Sequence, residues 1–308
     1  MILDHIVYSQ QFNVPLIMEL FERTEMMKKI VARGGTKDYE DKIMATLFYA
    51  PSTRTRFSFE SAMYRLGGKV LSTEHAKEFS SEVEGERLED TIRIIGHYSD
   101  VIVLRHPEKG GAERASKVSS VPIINAGDGD YGQHPTQALL DLYTIYNECK
   151  TLDGLSVAFM GALDLGRTVR SLAYLLSKFD RTKLYFIAPK ELQIKPDILE
   201  HLEEKGVKYE LLNDAKDIVS KVDVFYQTRI DRERLKKKKQ NLKKFNIDFN
   251  FVENMKKNAI IMHPLPRSVE ISHEVDTDSR VAIFRQTKNG LYVRMALLTM
   301  LFDNNLDL

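Results

Sequence analysis

The stretch Ser52-Thr53-Arg54-Thr55-Arg56 lies directly between a predicted strand and a predicted helix. Three hydroxyls and two guanidiniums in five residues cannot form a core, because each would need a polar partner out of water. At a helix N-terminus they instead form an anion site, where free backbone N–H groups, the helix dipole and arginine side chains act together. The sequence therefore predicts a strand, a phosphate-sized anion loop and a helix, in that order.

Apolar residues on both sides of this stretch define the strand and the helix. Residues 45–49 read as a buried strand, which Pro51 ends. After the stretch, apolar residues recur at roughly helical spacing until Gly67-Gly68, a pair that favours a helix C-terminus. The apolar residues of this helix are Phe57, Phe59, Ala62, Met63 and Leu66.

The rest of the chain alternates between apolar strands and amphipathic helices, which predicts an α/β fold with mainly parallel sheets. A helix over 135–149 separates two sets of strands and is interpreted as a bridge between two domains. A last helix covers about 288–303, and pattern alone does not say where it packs. The further predicted strands are 101–104, 121–124, 157–160, 184–187, 222–226 and 259–262.

Length and composition restrict the class of protein. A chain of 308 residues is long enough for two cores, and its net charge of +1 gives no overall field for nucleic acid or an anionic membrane. Residues 232–244 are lysine-rich, and we interpret them as a solvated loop rather than a nucleic-acid patch. The single cysteine, Cys149, excludes an intrachain disulfide and a Cys-rich zinc site. No signal segment or membrane span is evident, so we expect a cytoplasmic protein.

Further polar groups follow the predicted strands, where open α/β sheets bind their ligands. One Arg after a strand, or one His, is usually structural. Several such sites in one α/β chain, together with residues 52–56, predict a ligand site. The groups are Arg105, His134-Pro135-Thr136-Gln137, Arg167, Arg229 and His263-Pro264-Leu265-Pro266-Arg267.

The stretch from Gly161 to Thr168 nearly matches the GxxxxGK[ST] loop of nucleotide-hydrolysing proteins. It departs at Arg167, where that loop carries a Lys that acts as a compact point charge. A planar guanidinium fits a carboxylate better, through paired hydrogen bonds. We therefore weigh an ATPase or kinase as the weaker interpretation and a carboxylate-binding arginine as the stronger one.

Together these motifs resemble the aspartate/ornithine transcarbamoylase family over essentially the whole chain, and Arg167 and Arg229 resemble its aspartate branch. The resemblance implies a carbamoyl phosphate-binding domain, 1–134 plus 286–308, and an aspartate-binding domain, 150–285. The last helix would return to the first domain. It further implies homotrimers with shared active sites and no metal or organic cofactor. Separate regulatory chains are a partner class that it allows.

The resemblance also assigns roles to residues. Ser52, Thr53, Arg54 and Thr55 would hold the phosphate. Thr55, Arg105 and His134 would act in catalysis by donating to the carbonyl oxygen as it gains charge. Gln137 and the backbone carbonyl of Leu265, next to Pro266, would accept from the carbamoyl NH₂. Arg167 and Arg229 would clamp the carboxylates of aspartate. The implied reaction forms N-carbamoyl-L-aspartate and phosphate, an early step of de novo pyrimidine synthesis.

Three positions depart from the family pattern. The loop that would reach the neighbouring subunit keeps Ser80 but has Glu84 where a Lys is usual. Ala50 stands where a Glu usually precedes the phosphate loop, and Asp231 stands where the aspartate branch has Gln. Two interpretations stay open: an aspartate carbamoyltransferase with altered charges around its substrates, or a related protein with impaired activity or a different amine acceptor.

Overall fold

The structure is a computed structural model that describes residues 3–74, 85–129, 132–230 and 242–303. The chain divides into a first unit, Met1–Leu140 with Lys288–Leu308, and a second unit, Asp141–Thr287. Across the described ranges, every helix is too short or too polar to cross a lipid bilayer.

A four-stranded parallel sheet forms the centre of the first unit, with strand order β2-β1-β3-β4. Its strands are β1 (Ile43–Phe48), β2 (Lys69–Glu74), β3 (Val101–Arg105) and β4 (Ile123–Asn125). The helices that begin in this part of the chain are α1 (Val14–Ala32), α2 (Thr53–Arg65), α3 (Leu88–Gly96), α4 (Gly111–Ser116) and α5 (Pro135–Cys149).

The second unit is built on a five-stranded parallel sheet, with strand order β7-β6-β5-β8-β9. Its strands are β5 (Ser156–Met160), β6 (Lys183–Ile187), β7 (Lys208–Leu212), β8 (Val224–Gln227) and β9 (Ile260–Met262). The helices are α6 (Arg167–Leu176), α7 (Pro196–Glu204), α8 (Phe249–Glu253) and α9 (Ile283–Asp303).

Two helices have residues in both units. The division falls inside α5, after Leu140, and inside α9, before Lys288. The predicted fold class is confirmed: two parallel sheets flanked by helices, with a bridging helix and a final helix that returns to the first unit.

Strand order reverses once in each sheet. In the first sheet, β1 is followed in sequence by β2 on one side and then by β3 on the other. In the second sheet, β5 is followed by β6 on one side and later by β8 on the other. At such a reversal the two connections leave in opposite directions and open a crevice at the carboxyl ends of the strands. Several predicted ligand residues lie at the carboxyl ends of the strands beside these reversals, β1, β3, β5 and β8: residues 52–55, Arg105, Arg167 and Arg229.

The edge strands β2 and β7 are not among the strands predicted from sequence. Both have largely exposed side chains along their length, with no buried residue in either one. Hydrophobic patterning predicts strands that bury at least one face, so it predicts the central strands of a sheet better than polar edge strands.

A buried carboxylate organises the centre of the second unit. Asp141, on α5, accepts hydrogen bonds from the Tyr226 hydroxyl at 2.6 Å and from Nε2 of Gln286 at 2.6 Å. Gln286 Oε1 in turn accepts from the backbone N–H of His263 at 2.9 Å. Burial, followed by the charge of Asp141, raises the pKa of Tyr226 well above its ordinary value, so the phenol stays a donor. This network links α5, β8 and α9 to the loop after β9.

Substituting Tyr226→Phe removes one of the hydrogen bonds that stabilise the buried Asp141 carboxylate. We expect a loss of about 1–3 kcal/mol in the free energy of unfolding. The melting temperature should fall by about 2–4 °C per kcal/mol. Tyr209→Phe is the matched control, because Tyr209 makes the same kind of bond to Glu203 on the exposed surface. Thermal denaturation followed by circular dichroism should separate the two variants, and equal melting temperatures would contradict the assigned role of Asp141.

Candidate functional site

The anion loop begins where β1 ends. Ser52 is the N-cap of α2, and its side chain makes no capping bond to the helix. The first N–H groups of α2 therefore remain available for a ligand at the positive end of the helix. Thr55 is buried, whereas Thr53 and Arg54 are exposed. The predicted order of strand, polar loop and helix is confirmed, with α2 ending at Arg65 just before Gly67 at φ +93°.

The two arginines of this stretch have different surroundings. Arg54 makes no hydrogen bond or ion pair with the residues that the structure describes, although partial burial lowers the pKa of its guanidinium. Arg56 instead pairs with Glu74 at 2.9 Å and lies 3.9 Å from Glu60. The expectation that both guanidiniums converge on one anion is therefore wrong for Arg56. Its carboxylate partners are Glu74 on β2 and Glu60 one helical turn along α2. The pairing with Glu74 depends on the fold, because the two residues are far apart in sequence.

Arg105 is the last residue of β3, next to β1 in the sheet. Its backbone carbonyl accepts from Tyr49 N–H at 3.0 Å, which joins the loop after β1 to the end of β3. Its side chain donates from Nη1 to the carbonyl of Ala126 at 3.1 Å. The half-buried guanidinium is thus held at the same sheet edge as Ser52 and Thr55.

His134 immediately precedes α5, and its ring is buried. Its backbone carbonyl accepts from the N–H of Gln137 at 3.1 Å, and Thr136 Oγ1 lies 3.4 Å from its Nδ1. A buried carboxylate supports this segment, since Asp128 accepts from the N–H of Gln133 at 2.7 Å and from that of Gly110 at 2.9 Å. Asp128 is not among the residues predicted from sequence, because no local pattern marks an Asp whose partners lie at two separate places in the chain.

Arg167 and Arg229 lie on the loops after the neighbouring strands β5 and β8. Gly161 has φ +126°, and a Cβ there would lie 2.5 Å from the carbonyl oxygen of Thr228, so only glycine permits this approach. The Ala162 N–H donates to the Arg229 carbonyl at 3.1 Å. Arg167 begins α6, half-buried, while the side chain of Arg229 is exposed. The fold thus brings the two arginine-bearing loops side by side.

The loop after β9 contains an unusual backbone conformation. Leu265 has φ +59°, a left-handed value that costs a non-glycine residue about 1–2 kcal/mol. The peptide bond to Pro266 is cis. The Leu265 N–H donates to Nδ1 of His263 at 2.8 Å, and Nε2 of His263 lies 3.1 Å from Glu270 Oε1. Glu270 was also missed by the sequence analysis, because its partner lies seven residues earlier across an irregular loop.

Arg267, the last residue of this motif, forms an ion pair with Asp276 and contacts Nδ1 of His273 at 2.7 Å. The Asp276 partnership raises the pKa of Arg267 above its ordinary value, and the same contact lowers the pKa of the Asp276 carboxyl. Arg267 therefore holds the loop in place rather than presenting a free cation.

Three residues of the predicted site lie outside the described residues: Ser80, Glu84 and Asp231. Ala50, the other departure from the family pattern, is half-buried just before the anion loop. Within the described part of the chain, no group of three or more His, Cys, Asp or Glu side chains is arranged to hold a metal ion.

Substituting Arg54→Ala should weaken the binding of inorganic phosphate to this site. Loss of a charge-assisted hydrogen bond, about 1.5–3 kcal/mol, corresponds to roughly a 10- to 100-fold higher Kd. Arg65→Ala is the matched control, because Arg65 lies in the last turn of the same helix and its side chain donates to the carbonyl of Gly34, away from the start of the helix. Isothermal titration calorimetry measures both constants. An unchanged Kd in Arg54→Ala would contradict the assignment of this loop as an anion site.

Two family models together match most of the chain. Residues 4–147 match the carbamoyl-P binding domain of aspartate/ornithine carbamoyltransferase, and residues 153–301 match its Asp/Orn binding domain. Aspartate carbamoyltransferase 1, chloroplastic, of Pisum sativum is 51% identical, with 97% of this chain and 78% of the pea protein covered. The aspartate carbamoyltransferase catalytic subunit of Methanocaldococcus jannaschii is 45% identical, with 98% and 99% covered.

Solved structures show the same relationship. The catalytic subunit of M. jannaschii aspartate transcarbamoylase has a TM-score of 0.92 at 45% identity, with 98% of this chain and 99% of that chain covered. Aspartate transcarbamoylase from Trypanosoma cruzi in complex with carbamoyl phosphate and aspartate has a TM-score of 0.91 at 39% identity, with 96% and 94% covered. On sequence, fold and the arrangement of its polar loops, this chain belongs to the aspartate/ornithine carbamoyltransferase family.

Proposed function

We propose that this protein is an aspartate carbamoyltransferase, which transfers the carbamoyl group of carbamoyl phosphate to the α-amine of L-aspartate. The products are N-carbamoyl-L-aspartate and phosphate, an early step of de novo pyrimidine synthesis. The observation that carries the proposal is the close packing of Gly161 against Thr228, which sets the Arg167 and Arg229 loops side by side. Two guanidiniums on adjoining loops suit a dicarboxylate. The relatives from pea and M. jannaschii, named aspartate carbamoyltransferases, support the same reaction.

The first unit supplies the groups for the phosphate and for the carbonyl oxygen. Ser52, Thr53, Arg54 and Thr55 bind the phosphate, using hydroxyls, a guanidinium and the N–H groups at the start of α2. Arg54 suits this role because no described carboxylate neutralises it. As the carbonyl oxygen gains negative charge, Thr55, Arg105 and His134 stabilise it in the manner of an oxyanion hole.

The carbamoyl NH₂ requires hydrogen-bond acceptors. We assign that role to Gln137, in the first turn of α5, and to the backbone carbonyl of Leu265, which precedes Pro266. The left-handed conformation of Leu265 turns its peptide groups away from the direction of the preceding strand and supports this assignment. The acceptors fix the plane of the carbamoyl group, so that one face of the carbonyl carbon is open to the amine.

Charge then directs the reaction. Arg167 and Arg229 bind the aspartate carboxylates and leave the neutral α-amine to attack the carbonyl carbon. The new C–N bond forms as the C–O bond to phosphate breaks, and the departing phosphate takes the proton from the amine. Positioning two anions in this orientation supplies much of the acceleration, and no cofactor takes part in these steps.

Purified protein should form N-carbamoyl-L-aspartate in a colorimetric assay, with no carbamoylated product from L-ornithine. Arg229→Ala should raise the KM for aspartate by about 10- to 100-fold, since a charge-assisted contact is lost. Arg181→Ala, an exposed arginine in the same unit, is the matched control and should change it less than about twofold. Absence of product above background at saturating substrates would exclude this function.

We further propose that the protein works as a homotrimer with shared active sites. An exposed apolar face on α2 supports a self-association surface: Phe57 is 55% exposed and Tyr64 is 62% exposed, two helical turns apart. Large apolar side chains exposed on one face of a helix are typical of an interface. The face belongs to the same helix as the phosphate-binding residues, so a second copy bound there would lie close to them.

Substituting Phe57→Glu should convert the assembly to monomers, because a charge would be buried in the apolar contact. Met26→Glu is the matched control, since Met26 is 57% exposed on α1 of the same unit. Native mass spectrometry gives the assembly mass of each variant. A parent protein with the mass of one chain, or an unchanged mass in Phe57→Glu, would contradict the proposed interface.

We place the protein in the cytoplasm, with no nucleic-acid or membrane partner. The single cysteine and the nearly balanced charge support this location and these exclusions. The plant relatives have names that state a chloroplastic location. Separate regulatory chains remain a partner class that family membership allows.

A further inference from the structure

The left-handed turn at Leu265 requires a specific support. Its φ of +59° is the conformation that glycine adopts readily and leucine avoids. Such a conformation persists in a protein only when surrounding contacts hold it. The described contact that holds the Leu265 amide is the bond from its N–H to Nδ1 of His263, at 2.8 Å.

The side chain of His263 acts here as the side chain of Asn or Asp does in an Asx-turn, accepting from the N–H two residues later. Because Nδ1 accepts this bond, it carries no proton. Nε2 is therefore the protonated nitrogen, and it donates to Glu270 Oε1 at 3.1 Å. The ring is held in one tautomer by its two neighbours, and both His263 and Glu270 are about 2% exposed or less.

Glu270 is itself held in place from several directions. The same oxygen, Oε1, accepts from the Ser268 N–H at 3.0 Å, and the backbone carbonyl of Glu270 accepts from the Ile247 N–H at 2.8 Å. Burial acts to raise the pKa of Glu270, but the bonds from His263 and Ser268 outweigh it, so the pKa lies below its ordinary value. The carboxylate is an ionised acceptor that orients the histidine ring.

We propose that His263, oriented by Glu270, is a positioning residue that fixes the Leu265 turn and so selects a ligand with a carbamoyl NH₂ over one with a methyl group. The inference rests on the proposed function, in which the Leu265 carbonyl accepts from that NH₂. A carbonyl held at one angle accepts a hydrogen bond from an NH₂ group, but it has no favourable contact with a methyl group in the same place. A mobile carbonyl can turn to solvent instead, so it discriminates less between the two ligands.

Two stable phosphonates test this selection without any transfer chemistry. Phosphonoacetamide ends in C(=O)NH₂, and 2-oxopropylphosphonate replaces that NH₂ with a methyl group. The quantity measured by calorimetry is the ratio of their dissociation constants. For the parent protein we expect the amide to bind roughly fivefold or more tightly, the value of about one hydrogen bond.

Two variants of one residue separate its two bonds. His263→Asn keeps an acceptor for the Leu265 N–H, through Oδ1, but is too short to reach Glu270. His263→Gln keeps a donor directed at Glu270 but has no acceptor at the position of Nδ1. We expect the ratio of the two dissociation constants in His263→Asn to stay close to that of the parent, and the ratio in His263→Gln to fall close to one. The affinity for phosphate should change less than about twofold in both variants.

Several outcomes would overturn the inference. One is a parental ratio near one, and another is a His263→Gln ratio equal to that of the parent. If both variants lost the preference for the amide equally, the bond to the Leu265 N–H would not be the contact that controls this preference. If His263→Gln does not fold, the parent itself supplies the test. Nitrogen-15 NMR of its histidine rings, assigned with His263→Asn, should show His263 as the neutral Nε2–H tautomer, and an Nδ1–H tautomer would overturn the inference.

The same measurements keep this inference separate from the proposed function. A parent that shows the binding preference but forms no N-carbamoyl-aspartate would contradict the function and leave the role of His263 intact. If the parent forms the product but the ratio of dissociation constants is the same in the parent, His263→Asn and His263→Gln, the proposed function stands and the role of His263 is contradicted.

Discussion

The reversal of strand order in each parallel sheet is the constraint on which the rest of the structure depends. At the reversal between β1 and β3, and again between β5 and β8, two connections separate at the carboxyl ends of adjacent strands. The anion loop and Arg105 lie at the first reversal, and the Arg167 and Arg229 loops lie at the second. Parallel strands align their carboxyl ends at one sheet edge, so residues far apart in sequence become neighbours without any local signal.

Buried polar groups then hold these loops in defined positions. Asp128 supports the segment that enters α5, Asp141 anchors the helix itself, and Glu270 orients His263 beneath the Leu265 turn. Each carboxylate accepts at least two hydrogen bonds, a condition that burial of a charge requires. None of the three is assigned to the ligands. Instead, the three carboxylates hold the proposed ligand-binding groups rigidly. A backbone carbonyl or N–H group in a fixed position can discriminate between ligands.

Sequence reasoning was strongest where a local pattern has one physical meaning. The polar stretch before α2 predicted a helix N-terminus, and the apolar runs predicted both sheets apart from their polar edge strands. It was weaker where a side chain has a choice of partners. Arg54 and Arg56 are alike in sequence, but the pairing of β1 with β2 places Glu74 beside Arg56 and leaves Arg54 without a described partner. Pairing between strands is a tertiary property, so no spacing rule separates the two arginines.

The sequence by itself determined the α/β class, the order of the loops, the chemical type of each candidate group and the family resemblance. These properties follow from hydrophobic periodicity, from the cost of burying charge and from short motifs, all of which act over a few neighbouring residues. Only the tertiary structure decided which loops adjoin, why Gly161 must be a glycine against Thr228, and how His263 holds the left-handed Leu265. Those features depend on contacts between segments that the chain brings together only when it folds.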